Sequence, residues 1–117
     1  MTSLTGRAPR ATLDLALAYA GDSELLVAFD QAEERRGRPQ SSRYKRQQKL
    51  LTFSASLSGR RLLDATTNDI EAWLATCRVA HRTRSDYVGH ASAFFRWALA
   101  EQLVAYDPGA PLKRPHG

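Results

Sequence analysis

Leu25, Leu26, Phe29 and Ala32 recur at the spacing of one helix face. They predict a helix from about Asp22 to Arg36, capped by Asp22 or Ser23 and stopped by Gly37 and Pro39. Leu50, Phe53, Ser54 and Leu57 fall at i, i+3, i+4 and i+7, which predicts a second helix from about Ser42 to Leu57. Ser58 and Gly59 break the pattern. Ile70, Trp73, Leu74 and Cys77 repeat it after Thr66 and Asp69, whose spacing resembles a capping box with Asp in place of Glu. A fourth helix is expected from Thr83, as N-cap, to about Gln102. Tyr87, Val88, Ala91, Phe94, Phe95, Ala98 and Leu99 would line its buried side. Residues 11 to 20 stay ambiguous, because Leu13, Leu15, Leu17 and Tyr19 alternate like a strand while the alanines favour helix. The fold class is therefore all-α, a compact bundle of four to five helices.

A chain of 117 residues fits one domain. Residues 1–21 read as a basic arm and a short apolar segment, 22–107 as the helical domain, and 108–117 as the start of a basic linker. Hydrophobic residues make up 43% and charged residues 25%, which argues against disorder throughout. No apolar run approaches the roughly 18 residues that span a bilayer, so a soluble, cytoplasmic protein without a membrane partner is expected. The single cysteine, Cys77, forms no internal disulfide and is most simply a small apolar residue of the third helix. His81, His90 and His116 lack metal-ligand spacing, and no cofactor is expected.

Charge changes the picture through its distribution more than through its net value of +5. Ala11 to Glu34 holds six acids and no base, whereas Arg35 to Leu63 holds nine bases and no acid. The basic block attracts polyanions, unless it is a solvated face or pairs with the acidic segment before it. Ser42, Lys45, Arg46 and Lys49 share one flank of the second helix, so the bases crowd its first turns. The helix dipole favours acids there, and an anionic partner would account for the bases. Ser42 and Phe53 stand 11 positions apart, as do Thr83 and Phe94, so the two helices would present similar starts.

The segment T-x(3)-Y-x(6)-FFRWA-x(4)-L-x(3)-DP-x(2)-P-x(3)-P, Thr83 to Pro115, resembles the end of the core-binding domain of tyrosine recombinases, the phage-integrase family. LLDATTNDIEAWL resembles that family's third helix start, and S-x(7)-L-x(2)-F, Ser42 to Phe53, its second helix. Asp107 stands where the family has Asn, and Arg46 where it often has Tyr. The resemblance covers about residues 22 to 115 and implies a SAM-like core-binding fold, a compact orthogonal bundle. It implies half of a clamp on double-stranded DNA, with the second and fourth helices against the major groove.

The DNA-binding candidates it implies are Ser42, Arg43, Lys45, Arg46 and Lys49, then Thr83, Arg84, Tyr87 and His90, with Lys113 and Arg114 beyond. Arginine and lysine would neutralise phosphates, and hydroxyls would position them. Asp86 counts against a uniformly DNA-facing first turn. Catalysis would belong to a separate catalytic domain of the same recombinase, acting in a homo-multimer on DNA. The stretch HRTRSDY carries the residue types of phosphoryl transfer in His81, Arg84 and Tyr87. It lacks the family's further arginine, lysine and late tyrosine, so the chain alone is not expected to be an enzyme. A solvated helix start and a small protein-interaction or regulatory module with a basic face are the alternative readings.

Overall fold

The computed structural model describes residues 17, 19–77 and 81–112. Four helices follow one another: α1 (Asp22–Arg35), α2 (Gln40–Ser56), α3 (Thr67–Cys77) and α4 (His81–Ala100), with a short 3₁₀ turn at Leu62–Asp64. No strand occurs among the described residues. The all-α bundle expected from the periodicities is present. Most of residues 1–21, and Lys113 to Gly117, lie outside the described residues.

Helix α1 starts one residue earlier than its hydroxyl and carboxylate pattern suggested. Gly21 is the N-cap, and its N–H donates to Glu24 Oε1 at 3.2 Å. Asp22 is not the cap. It sits in the first turn and joins two other elements, accepting from Ser54 Oγ at 2.6 Å and from the Leu62 N–H at 3.0 Å. The other end follows the expected chemistry. Gly37 adopts φ +89°, which an L side chain resists, and lets Arg38 N–H reach Glu33 O at 3.1 Å and Gly37 N–H reach Glu34 O at 2.9 Å. This pair of bonds satisfies carbonyls that the helix end would otherwise orphan.

Two further helix starts are displaced. Helix α2 begins at Gln40 with Pro39 as N-cap, so Ser42 is already inside the helix. Proline suits a helix start, where a missing N–H costs no helical bond. Helix α4 begins at His81, so Thr83 too is an interior residue. The cap expected for α3 is in place: Asp69 N–H donates to Thr66 Oγ1 at 3.2 Å, and Thr66 N–H donates to Asp69 Oδ2 at 2.8 Å.

Helix α2 packs against each of the other three helices, and α4 against α2 and α3. The aromatic rings form one connected path through this core. Phe29 meets Phe94 edge-on at 5.5 Å, Phe94 meets Phe95 at 5.0 Å, and Phe95 meets Phe53 at 6.3 Å. Phe53 then meets Trp73 at 5.0 Å, and Trp73 stacks on Tyr87 at 5.3 Å. Burial of each phenylalanine contributes about 2–3 kcal/mol, and each ring pair adds about 1 kcal/mol. Leu50, Leu57, Ile70, Leu74, Val88, Ala91 and Ala98 fill the space between the rings. Trp97 is buried with them, whereas Leu99, expected in the core, is 40% exposed at the edge of the buried stripe of α4.

The segment after α4 folds back onto the bundle. Asp107 Oδ1 accepts from Gly109 N–H at 2.8 Å, Thr67 Oγ1 donates to Pro108 O at 2.7 Å, and Leu112 packs against the core. A Cβ on Gly109 would lie 3.4 Å from the Ser92 Cα, so glycine allows this close approach. Residues 108–112, read from the sequence as the start of a linker, thus cover the core.

Candidate nucleic-acid interface

The candidates on α2 and α4, far apart in sequence, meet in the fold. Lys49 Nζ lies 5.2 Å from the centroid of the Tyr87 ring. One turn away, Arg46 Nε donates to His90 Nδ1 at 3.1 Å. Both pairs cross from the second helix to the fourth. Lys45 is exposed, and Ser42, Lys49, Thr83, Arg84, Tyr87 and His90 are half-buried. Helix α2 contains no acid from Gln40 to Ser56, and α4 has none in its first turn. Asp86, exposed near the start of α4, is the acid beside this face.

Two of the expected DNA-facing arginines turn towards α1 instead. The Arg43 side chain is only 12% exposed, with Nη1 at 3.5 Å from Asp30 Oδ2 and 3.9 Å from Glu34 Oε1. Its Nε is buried without a hydrogen-bond partner. Arg46 Nη1 donates to Glu33 Oε2, and this guanidinium too is largely buried. The acidic segment therefore neutralises part of the basic block, as one reading of the charge pattern anticipated. Lys113 and Arg114 lie outside the described residues, as do the side chains of His81 and Arg82.

Burial lowers the proton affinity of Arg46; the Glu33 carboxylate opposes that effect and Arg38 and Arg96 reinforce it. Arginine nevertheless stays charged at any physiological pH. Burial, together with Arg46, Arg38 and Lys49, pushes the His90 imidazole down to about 4, with Asp86 acting in the other direction. His90 is thus neutral at pH 7. Its Nδ1 lone pair is engaged by Arg46, which leaves the proton on Nε2. It brings a hydrogen-bond donor to the face, and no charge.

Glu33 was not among the sequence candidates, yet it organises this region. It is 6% exposed, accepts from Arg46, and lies 3.6 Å from Arg38 Nε. Its partner Arg46 is 13 positions on, across the α1–α2 corner, a spacing that no helical period marks. Arg36, Arg38 and Arg96 border a neighbouring cleft of about 550 Å³ floored by Phe29 and Trp97. Among the described residues, no group of three His, Cys, Asp or Glu side chains is placed to hold a metal ion. No described helix is long and apolar enough to cross a membrane.

No protein-family model, curated protein or solved structure matches this chain.

Proposed function

We propose that the chain docks on double-stranded DNA through the joined starts of α2 and α4, as a core-binding domain of the tyrosine-recombinase kind with a SAM-like arrangement. The observation that carries this reading is the meeting of the two helices through the Lys49–Tyr87 and Arg46–His90 contacts, with Lys45 one helical turn before Lys49 and Arg84 one turn before Tyr87. Helix α2 brings bases without acids to that face, an arrangement that folding alone does not favour at a helix start. Lysine and arginine there neutralise phosphates, and the Ser42 and Thr83 hydroxyls position the strand. The domain holds DNA for a catalytic domain carried outside these 117 residues, works in a multimer on its site, and acts in the cytoplasm. It performs no chemistry itself.

An amide NMR titration with a mixed-sequence duplex at low and moderate salt tests this reading. Shifts clustered at 42–49 and 83–90, fading as salt rises, are the expected result. Lys45→Ala and Arg84→Ala should each weaken binding. A duplex that moves neither helix start at low salt overturns it.

A second reading has its own observation. Val27, Tyr44 and Leu51 are 55%, 65% and 46% exposed on α1 and α2, where a protein-interaction module would carry its contact patch. Protein capture that Tyr44→Ala abolishes, in a chain that ignores DNA, would favour that module.

A further inference from the structure

The cleft beside the α2–α4 face has a charge balance that the fold leaves unresolved. Arg36 and Arg38 enter it from the turn after α1, Arg46 from α2 and Arg96 from α4, and Glu33 is the one carboxylate among its lining residues. Glu33 is already shared between Arg46 and Arg38. Arg38 Nε is buried and makes no hydrogen bond, since 3.6 Å to Glu33 is too long for one. Arg36 and Arg96 are exposed and make no ion pair among the described residues. Like charges crowd here closely enough that Arg38 and Arg96 both depress the proton affinity of Arg46. Four guanidinium groups around one carboxylate would repel one another without an anion.

We propose that this cleft seats a phosphate group. Guanidinium forks match phosphate oxygens, and one phosphate offers enough acceptors for several arginines at once. A further carboxylate would only repeat what Glu33 does. The volume of about 550 Å³ exceeds the needs of a lone phosphate and leaves room for the sugars on either side of a phosphodiester. Arg46 reaches both the cleft and His90, so the cleft continues the α2–α4 face. The strand as the source of the phosphate rests on the DNA-docking reading above; a free phosphate compound is the other source of the same chemistry.

Two arms separate these sources. In the first, inorganic phosphate is titrated into the full chain at ionic strength matched with chloride, and the Gly37 and Arg38 amides and the Trp97 indole are followed by NMR. Saturable shifts are expected, absent with chloride and lost in the Arg36→Ala/Arg96→Ala double variant. Both side chains are exposed, so the fold tolerates their loss, and an unchanged core spectrum verifies it. In the second arm, duplex affinity is measured against salt. The double variant should bind about tenfold more weakly, and the slope of log K against log salt should fall by about 0.9, one phosphate contact. Phosphate shifts without any duplex binding would uphold the cleft, assign it to a free phosphate compound, and sink the DNA reading alone. Duplex binding with wild-type affinity and slope in the double variant, together with no phosphate response, would overturn the cleft and leave the DNA reading standing. A cleft that answers neither phosphate nor duplex, and answers a glutamate-rich peptide instead, would overturn the proposal as well.

Discussion

Arg46 Nε donates to His90 Nδ1 at 3.1 Å, joining two helices whose contact residues lie 44 positions apart. That bond exists only while Nδ1 keeps its lone pair. Protonating His90 would bury a charge and set it against the Arg46 guanidinium, beside Arg38 and Lys49, with Asp86 the nearby acid. The ring therefore holds out to about 4 in the folded chain, against 6.5 for an ordinary histidine. Between those values the unfolded chain binds a proton that the folded chain refuses. The His90 contribution is then fully present above pH 6.5 and is lost as pH falls towards 4. A loss on the order of 1–2 kcal/mol is expected for a half-buried ring. Denaturant melts from pH 7.5 to 4.5 should show this slope, and His90→Asn should flatten it. An equal slope in both proteins would place its origin elsewhere.

Glu33 sets a competition. It holds Arg46 against α1, whereas a phosphate would draw Arg46 towards solvent. Glu33→Gln keeps the shape and removes the charge. The folded chain should lose about 1–3 kcal/mol, because a buried guanidinium keeps only a neutral partner. Duplex affinity should rise in the same variant, since the bound strand no longer competes with the carboxylate. Calorimetric melting and fluorescence anisotropy on one preparation would read both. Lower stability together with weaker DNA binding would show that Glu33 only positions Arg46.

Gln102 takes φ +64° at the end of α4, where glycine is the usual residue. It does so because Leu103 N–H reaches Ala98 O at 2.8 Å, Gln102 N–H reaches Leu99 O at 3.0 Å, and Leu103 packs on the core. A left-handed glutamine costs about 1 kcal/mol relative to a glycine there. Gln102→Gly should therefore raise the melting temperature by a few degrees. Gly37→Ala, at φ +89° in the equivalent turn after α1, should lower it.

These two turns show what the pattern of residues could and could not convey. Gly37 marks its helix end in the sequence, because glycine is chosen there for its backbone. Gln102 marks nothing, because a tertiary contact through Leu103 imposes the same conformation on an ordinary residue. The helix starts divide in the same way. Thr66 and Asp69 form the box that their spacing suggests, whereas Ser42 and Thr83 lie inside helices that begin at Gln40 and His81. Periodicity found the buried stripes of all four helices and misplaced Leu99, at the edge of its stripe. The site was legible as two charged helix starts. Its internal neutralisation was not, since Asp30–Arg43 and Glu33–Arg46 depend on how α1 turns back along α2.

Tyr87 belongs to both the core and the candidate face, and its atoms allow the two roles to be separated. The ring stacks on Trp73 with planes 18° apart, and Trp73 Nε1 donates to Thr52 Oγ1 at 3.3 Å on α2. Lys49 Nζ stands 5.2 Å from the same ring. Packing uses the ring, while a phosphate contact would use the hydroxyl. Tyr87→Phe retains the stack and the cation contact, so stability should change by less than about 0.5 kcal/mol. Tyr87→Ala leaves Trp73 without its partner and should cost about 2–3 kcal/mol. On DNA, Tyr87→Phe should bind about threefold more weakly, the worth of one neutral hydrogen bond. An unchanged melting temperature with weaker binding places the hydroxyl on the strand. If the phenylalanine variant matches the wild type in both measurements, Tyr87 serves the core alone, and the positive face is left to Lys45, Lys49 and Arg84.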